Sequence, residues 1–204
     1  MERRITYEPY AYPAAPHTRR HGPSGWSDYR RYRPWLRDEF QFRCVYCLER
    51  ERWRDMRVAM PVDHFVPQVR APHLKKTYEN LLYLCPCCNT LKLDELLPDP
   101  CELALAQCLR VQRDGRIEAL SAEGQLIIEV LELDADRVVS HRRRIIGAIL
   151  SLAASNPDEL TLWLGYPDDL PDLAALVPPT NSKPDGVTDC FFAQRKRGEL
   201  ATFY

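Results

Sequence analysis

Residues 1–26 interleave Pro, Gly, Tyr and Arg with no periodic apolar stripe, so they read as an arm rather than an element. Trp35, Leu36 and Phe40 then follow at helical spacing. Pro34 before them suits the first position of a helix that leads to Cys44. Residues 58–65 read as a strand stopped by Pro67, residues 81–84 as a second short strand, and residues 89–97 as a helix closed by Pro98. Strand, loop, strand, helix is the order expected through the middle of the chain.

The second half is patterned differently. Asp99-Pro100 has the N-cap and first-position chemistry of a helix carrying Leu103 and Leu105. Asp114-Gly115, between two short apolar runs, predicts a hairpin turn. Ser121 and Asp134 are candidate N-caps of two helices, the second with Val138, Ile145, Ile149 and Leu152 on one face. Asn156-Pro157 and Leu164-Gly165 bracket another helix, and residues 177–188 read as a Pro-containing connection to a short tail. The expected division is a basic arm at 1–35, a core at 36–98, a hairpin and helical scaffold at 99–176 and a tail at 177–204.

Composition adds a class and charge adds an asymmetry. With 45% hydrophobic and 28% charged residues the 204-residue chain resembles an ordinary globular protein. It has no apolar run of the roughly 18 residues that span a bilayer. The first residues do not resemble a signal peptide, so the chain is read as cytoplasmic and without a membrane partner. The net charge of −1 conceals two unlike halves. Residues 1–92 hold 17 Lys/Arg against 10 Asp/Glu, and residues 93–204 hold 11 against 19. A polyanion-binding face backed by an acidic scaffold would give this distribution; so would scattered solvated charge. The arm's Arg19, Arg20, Trp26, Tyr29, Arg30, Arg31, Tyr32 and Arg33 can grip phosphates and stack on bases, or lie extended along the core.

The chemistry concentrates between residues 44 and 92. Cys44 and Cys47, then Cys85 and Cys88, form two Cys-x-x-Cys pairs, the spacing at which two tight turns complete a tetrahedral structural Zn²⁺ site. Cys87 competes for ligation but lacks the paired spacing. Cys101, Cys108 and Cys190 have no pattern. Between the pairs stand Asp63 and His64. An imidazole titrating near neutrality can deprotonate water, and an adjacent carboxylate can hold a divalent cation that neutralises a scissile phosphate. Adjacent strand residues face opposite ways, so the strand must twist or end at His64 for both to reach one phosphate. Lys92, Arg43, Lys75 and Lys76 are candidate phosphate contacts, with a solvated surface as the alternative. His73 is a candidate substrate contact or plain surface.

The string from Cys44 through Val62-Asp63-His64-Phe65-Val66-Pro67 to Asn80, Cys85, Cys88, Asn89 and Lys92 resembles the HNH endonucleases. That resemblance implies an α+β protein with a ββα-metal, treble-clef-like core stapled by a four-cysteine zinc site. It implies His64 as general base and Asp63 and Asn89 as ligands of a catalytic ion. Asn80 would pin the loop that orients the histidine. Asparagine at position 89 favours the oxygen-loving Mg²⁺ or Mn²⁺. The expected function is metal-dependent hydrolysis of phosphodiester bonds in DNA, with double-stranded DNA as partner. Resemblance to stand-alone bacterial HNH proteins of phage-defence or retron systems adds an NTPase, reverse transcriptase or other defence protein as an expected partner. The competing expectation is a catalytically inactive, zinc-stapled module that binds nucleic acid or protein.

Overall fold

The computed structural model of the chain describes residues 7–54 and 59–204. Two three-residue strands, Val62–His64 (β1) and Leu81–Tyr83 (β2), pair antiparallel with Val62 opposite Tyr83 and His64 opposite Leu81. The expected strand at 58–65 is thus cut to its second half, and its start at Val58 lies outside the described residues. Helix α1 (Arg33–Glu39), with Pro34 in its first turn, packs on β2. Trp35 and Leu36 of α1 and all of Leu81, Leu82, Tyr83 and Leu84 have no exposed surface. Burial of each such side chain contributes about 1.5–3 kcal/mol.

Helix α2 (Pro86–Lys92) follows β2, completing the ββα unit. It starts three residues before the expected 89–97 helix and stops five before its end. Cys85 is the N-cap, its sulfur accepting from Cys88 N (3.4 Å), and Pro86 fills the first position. Leu93 turns out of the helix at φ 45°. The helix expected from Asp99 is also corrected. Asp99 Oδ1 accepts from Cys101 N (2.7 Å), and the backbone nitrogens of Glu102 and Leu103 share Asp99 O, so the segment closes into one turn. A 3-10 turn at Leu105–Gln107 comes after it. Aspartate suits such a local turn as well as it suits a helix cap.

Strands β3 (Leu109–Val111) and β4 (Ile117–Ala119) form the hairpin that Asp114-Gly115 predicts, with Gly115 at φ 85°. Ser121 caps α3 (Ala122–Val130) through Gly124 N (3.2 Å). Helix α4 (Asp136–Ser155) begins behind Ala135 rather than Asp134 and buries Ile145 and Ile149. It packs on α5 (Pro157–Leu164), which Asn156 caps through Glu159 N (3.1 Å). The tail contains a helix that no expectation covered, α6 (Phe191–Arg197). Among the described residues no helix is long and apolar enough to cross a membrane.

Residues 7–28 run along the core without a regular element, and two buried carboxylates at the end of α1 hold them. Glu39 Oε1 meets His17 Nε2 and Arg20 N (both 2.8 Å), and Glu39 Oε2 meets Tyr78 OH (3.0 Å). Burial by itself would raise the Glu39 carboxyl, but these donors hold it at about 2. Asp38 takes His21 Nε2 (2.9 Å), Arg20 Nη2 (2.7 Å) and the first backbone N–H of α6, that of Phe191 (2.8 Å). One end of α1 thereby ties the arm, the loop before β2 and the tail helix together. Tyr12 adds a bond from its hydroxyl to Tyr46 O (2.7 Å).

Candidate functional site

The sulfurs of Cys44, Cys47, Cys85 and Cys88 all lie within 4.8 Å of one another, and Cys47 and Cys85 sulfurs are 3.6 Å apart. Tetrahedral zinc–thiolate bonds of about 2.3 Å set neighbouring sulfurs just under about 4 Å apart, so the donor set fits structural zinc. The first turn is shaped by Leu48 N donating to Cys44 O (3.0 Å), with Leu48 at φ 60°. Val45 N donates to Tyr83 O (3.1 Å) and fixes this turn to β2. The clustered thiols, that of Cys44 foremost, push Cys85 below the ordinary thiol range and Cys47 and Cys88 above it, as sulfurs sharing protons at close range do. Cys87 is exposed and outside the cluster, which resolves its competition with Cys85 and Cys88.

His64 is the last residue of β1, so the chain is free to turn immediately after the Asp63–His64 pair. The imidazole is buried, and its Nε2 lies 2.9 Å from Lys75 O. A carbonyl only accepts, so Nε2 carries the proton and Nδ1 keeps its lone pair. Gln68 Nε2 approaches that lone pair at 3.3 Å. Tyr29 stacks edge-on against the ring, with centroids 4.5 Å apart at 69°. Burial pulls the His64 pKa below its ordinary value, with the Lys75 carbonyl and Asp63 opposing. At neutral pH the ring is therefore an uncharged base with one directed lone pair.

Beneath the pair sits Lys92, fully buried. Its ammonium donates to His64 O (2.9 Å) and lies 2.9 Å from Asp63 Oδ2. That oxygen is buried, so the ammonium beside it offsets its charge where water does not reach. Asp63 is a carboxylate, the hard oxygen donor that a divalent cation takes, but its Oδ2 is occupied by the Lys92 ion pair. Asn89 is half-buried on α2, three residues before Lys92 and so near it on the helix surface.

Asn80 is buried and spans the loop that carries Gln68 and Lys75. Its Oδ1 accepts from Val66 N (2.8 Å), and its Nδ2 donates to Val66 O (3.1 Å) and Leu74 O (3.4 Å). Lys75, Lys76 and His73 are exposed on that loop. Lys92 and Arg43 are not open to solvent in the way a free surface cation would be. Arg43 bonds Gln41 Oε1 (2.8 Å), and burial and the nearby Arg50 pull its pKa down to about 10. Gln68 and Tyr29 are the contacts that sequence reading missed around His64. Tyr29 stood in the aromatic arm, while nothing in the sequence marked Gln68. Two cavities, of about 310 and 430 Å³, are lined by neither Asp63, His64 nor Asn89.

No curated protein matches the chain. Residues 44–95, which contain both Cys-x-x-Cys turns, β1, β2 and α2, match the model of the HNH endonuclease family.

Proposed function

We propose that the protein is a metal-dependent DNA endonuclease in which His64 is the general base. The observation that carries this reading is the tautomer: with Nε2 committed to Lys75 O, the lone pair of His64 lies at Nδ1, where the neutral amide of Gln68 (3.3 Å) would have to give way to a water. A water within reach of Nδ1 would give up its proton there and attack phosphorus in line with the leaving oxygen. Asp63 and Asn89, a carboxylate and an amide oxygen of the kind hard cations take, would hold Mg²⁺ or Mn²⁺. Such an ion, when bound, supplies charge neutralisation at the phosphate and stabilises the leaving oxygen. Lys92 pairs with Asp63 in a largely buried setting and anchors the end of β1 through His64 O. Asn80 holds the loop whose Lys75 carbonyl orients the ring. Exposed Lys75 and Lys76 beside it are the loop's phosphate contacts.

The test is cleavage of supercoiled plasmid with Mg²⁺ or Mn²⁺ by the parent protein and His64→Ala. Cleavage by the parent alone is expected, and equal cleavage by both would remove His64 from the mechanism. DNA binding that survives Asp63→Ala and His64→Ala, with no cleavage under either ion, would favour the non-catalytic binding module. At the level of the cell we propose service in anti-phage defence beside an NTPase or similar partner. A pull-down from the native host that returns no stable partner counts against it.

A further inference from the structure

The basic residues of the arm divide into two groups. Arg19 bonds Glu79 O (3.1 Å) and Leu81 O (2.7 Å) and lies over the rings of Phe40 and Tyr78. Arg20 is bound to Asp38, and Arg33 Nε donates to Met60 O (3.0 Å). These three fasten the arm to the protein. Arg30 and Arg31 fasten nothing beyond their own turn, where Arg30 lies over the Tyr29 ring at 5.2 Å. Arg30 has one ion contact, to Asp28 at 3.8 Å, with its side chain 74% exposed. Arg31 is exposed and has no ion pair among the described residues.

Both belong to the 3-10 turn Tyr29–Tyr32, which is well fixed. Asp28 Oδ1 caps it through Arg30 N (3.0 Å), and Tyr32 is buried against Trp26 and Tyr78. Its first residue, Tyr29, is the one whose ring meets His64 edge-on. Lys75 supplies the carbonyl on Nε2 of the same imidazole, and the side chains of Lys75 and Lys76 are exposed to solvent. Two of the imidazole's contacts, Tyr29 of the arm and Lys75 of the loop, thus each adjoin exposed cations.

Resting on the nuclease reading of His64, we infer that the Tyr29–Tyr32 turn is a second wall of the active site. Tyr29 is a positioning residue that stops the imidazole rotating away from its Lys75 bond. Arg30 and Arg31 contact backbone phosphates next to the scissile one. Phosphate contacts of this kind set register and affinity without reading sequence. They should therefore act on binding, while Tyr29 acts on the chemical step.

The test uses the full chain and a labelled DNA duplex. Binding is measured as a function of salt in a His64→Ala background, and cleavage kinetics in the parent background. Arg30→Ala/Arg31→Ala is expected to lower the slope of log K against log salt by about 2, one for each phosphate that is no longer neutralised. It should raise KM with kcat unchanged. Tyr29→Ala is expected to lower kcat at least tenfold with KM and the salt slope unchanged, and Tyr29→Phe to restore it. If Tyr29→Ala does not fold, the two exposed arginines carry the test. An unaltered slope and KM in the double variant, while the parent binds and cuts normally, overturns the arm's role and leaves the nuclease reading standing. A parent that neither binds nor cuts overturns both.

Discussion

His64 donates from one nitrogen to Lys75 O and keeps a lone pair at the other, which Gln68 meets at 3.3 Å, and its burial decides its charge. Because burial lowers the folded-state pKa, the neutral, proton-accepting form persists below the pH at which a free imidazole would charge. The acid limb of kcat/KM should accordingly have its midpoint below 6.5, and a limb at or above 6.5 would assign it to another group. The same shift affects stability. The unfolded chain binds this proton more readily, so the contribution of His64 is complete above 6.5 and declines as pH falls toward the folded-state pKa. Lys92 poses a harder constraint. Its ammonium has no exposed surface and its compensating charge is Asp63, so Lys92→Met leaves a largely buried carboxylate alone. Breaking such a pair costs about 3–5 kcal/mol. Denaturant unfolding of Lys92→Met should show a loss of that order, and a stability within about 1 kcal/mol of the parent would mean the pair contributes little.

Among the elements, α3 shows two opposed effects of known size. Gly124 lies in its first turn, where alanine would ordinarily favour an exposed helix by about 1 kcal/mol. Here a Cβ would land on the carbonyl of Cys108, at the entry to β3, and backbone cannot move aside as a flexible side chain can. Overpacking of this kind costs about 1–3 kcal/mol, so Gly124→Ala should lower Tm. A raised Tm would show that α3 and the hairpin separate freely. Elements with a chemical marker were legible in the sequence. Pro34 announced α1, Asp114-Gly115 the hairpin, Ser121 the start of α3, and Asn156 with Gly165 both ends of α5. The helix expected after Asp99 was not there, because the same aspartate oxygen that caps a helix also closes a lone turn. Helix α6 was missed because its packing partner, the Asp38 carboxylate, lies far away along the chain. The site divides the same way: cysteine spacing marked the sulfur cluster, whereas the carbonyl that fixes the His64 tautomer has no side-chain signature at all.

For the whole molecule the question is what keeps strands of only three residues in register. Two short strands with one pairing partner each are marginal in water, so the sheet must be held from outside. The sulfur cluster does this, since Cys85 lies just past the end of β2 and Val45 of the first turn bonds Tyr83. Zinc at a structural site of four thiolates contributes on the order of 10 kcal/mol of apparent folding free energy. A domain of ordinary stability has about 5–15 kcal/mol in total. Loss of the ion should therefore consume most of the margin, and with it the alignment of Asp63 and His64 on β1. Cys85→Ser, or removal of zinc by a strong chelator, should abolish cooperative unfolding or lower Tm severely. Cys87→Ser is the matched control two residues away: the residue is exposed and outside the cluster, so its stability should stay within about 0.5 kcal/mol of the parent. Thermal melts of the two serine variants, with zinc content measured on each, separate the alternatives. Equal melts with equal zinc would show that the four clustered sulfurs do not hold the ion, and the register of the two strands would then need another cause.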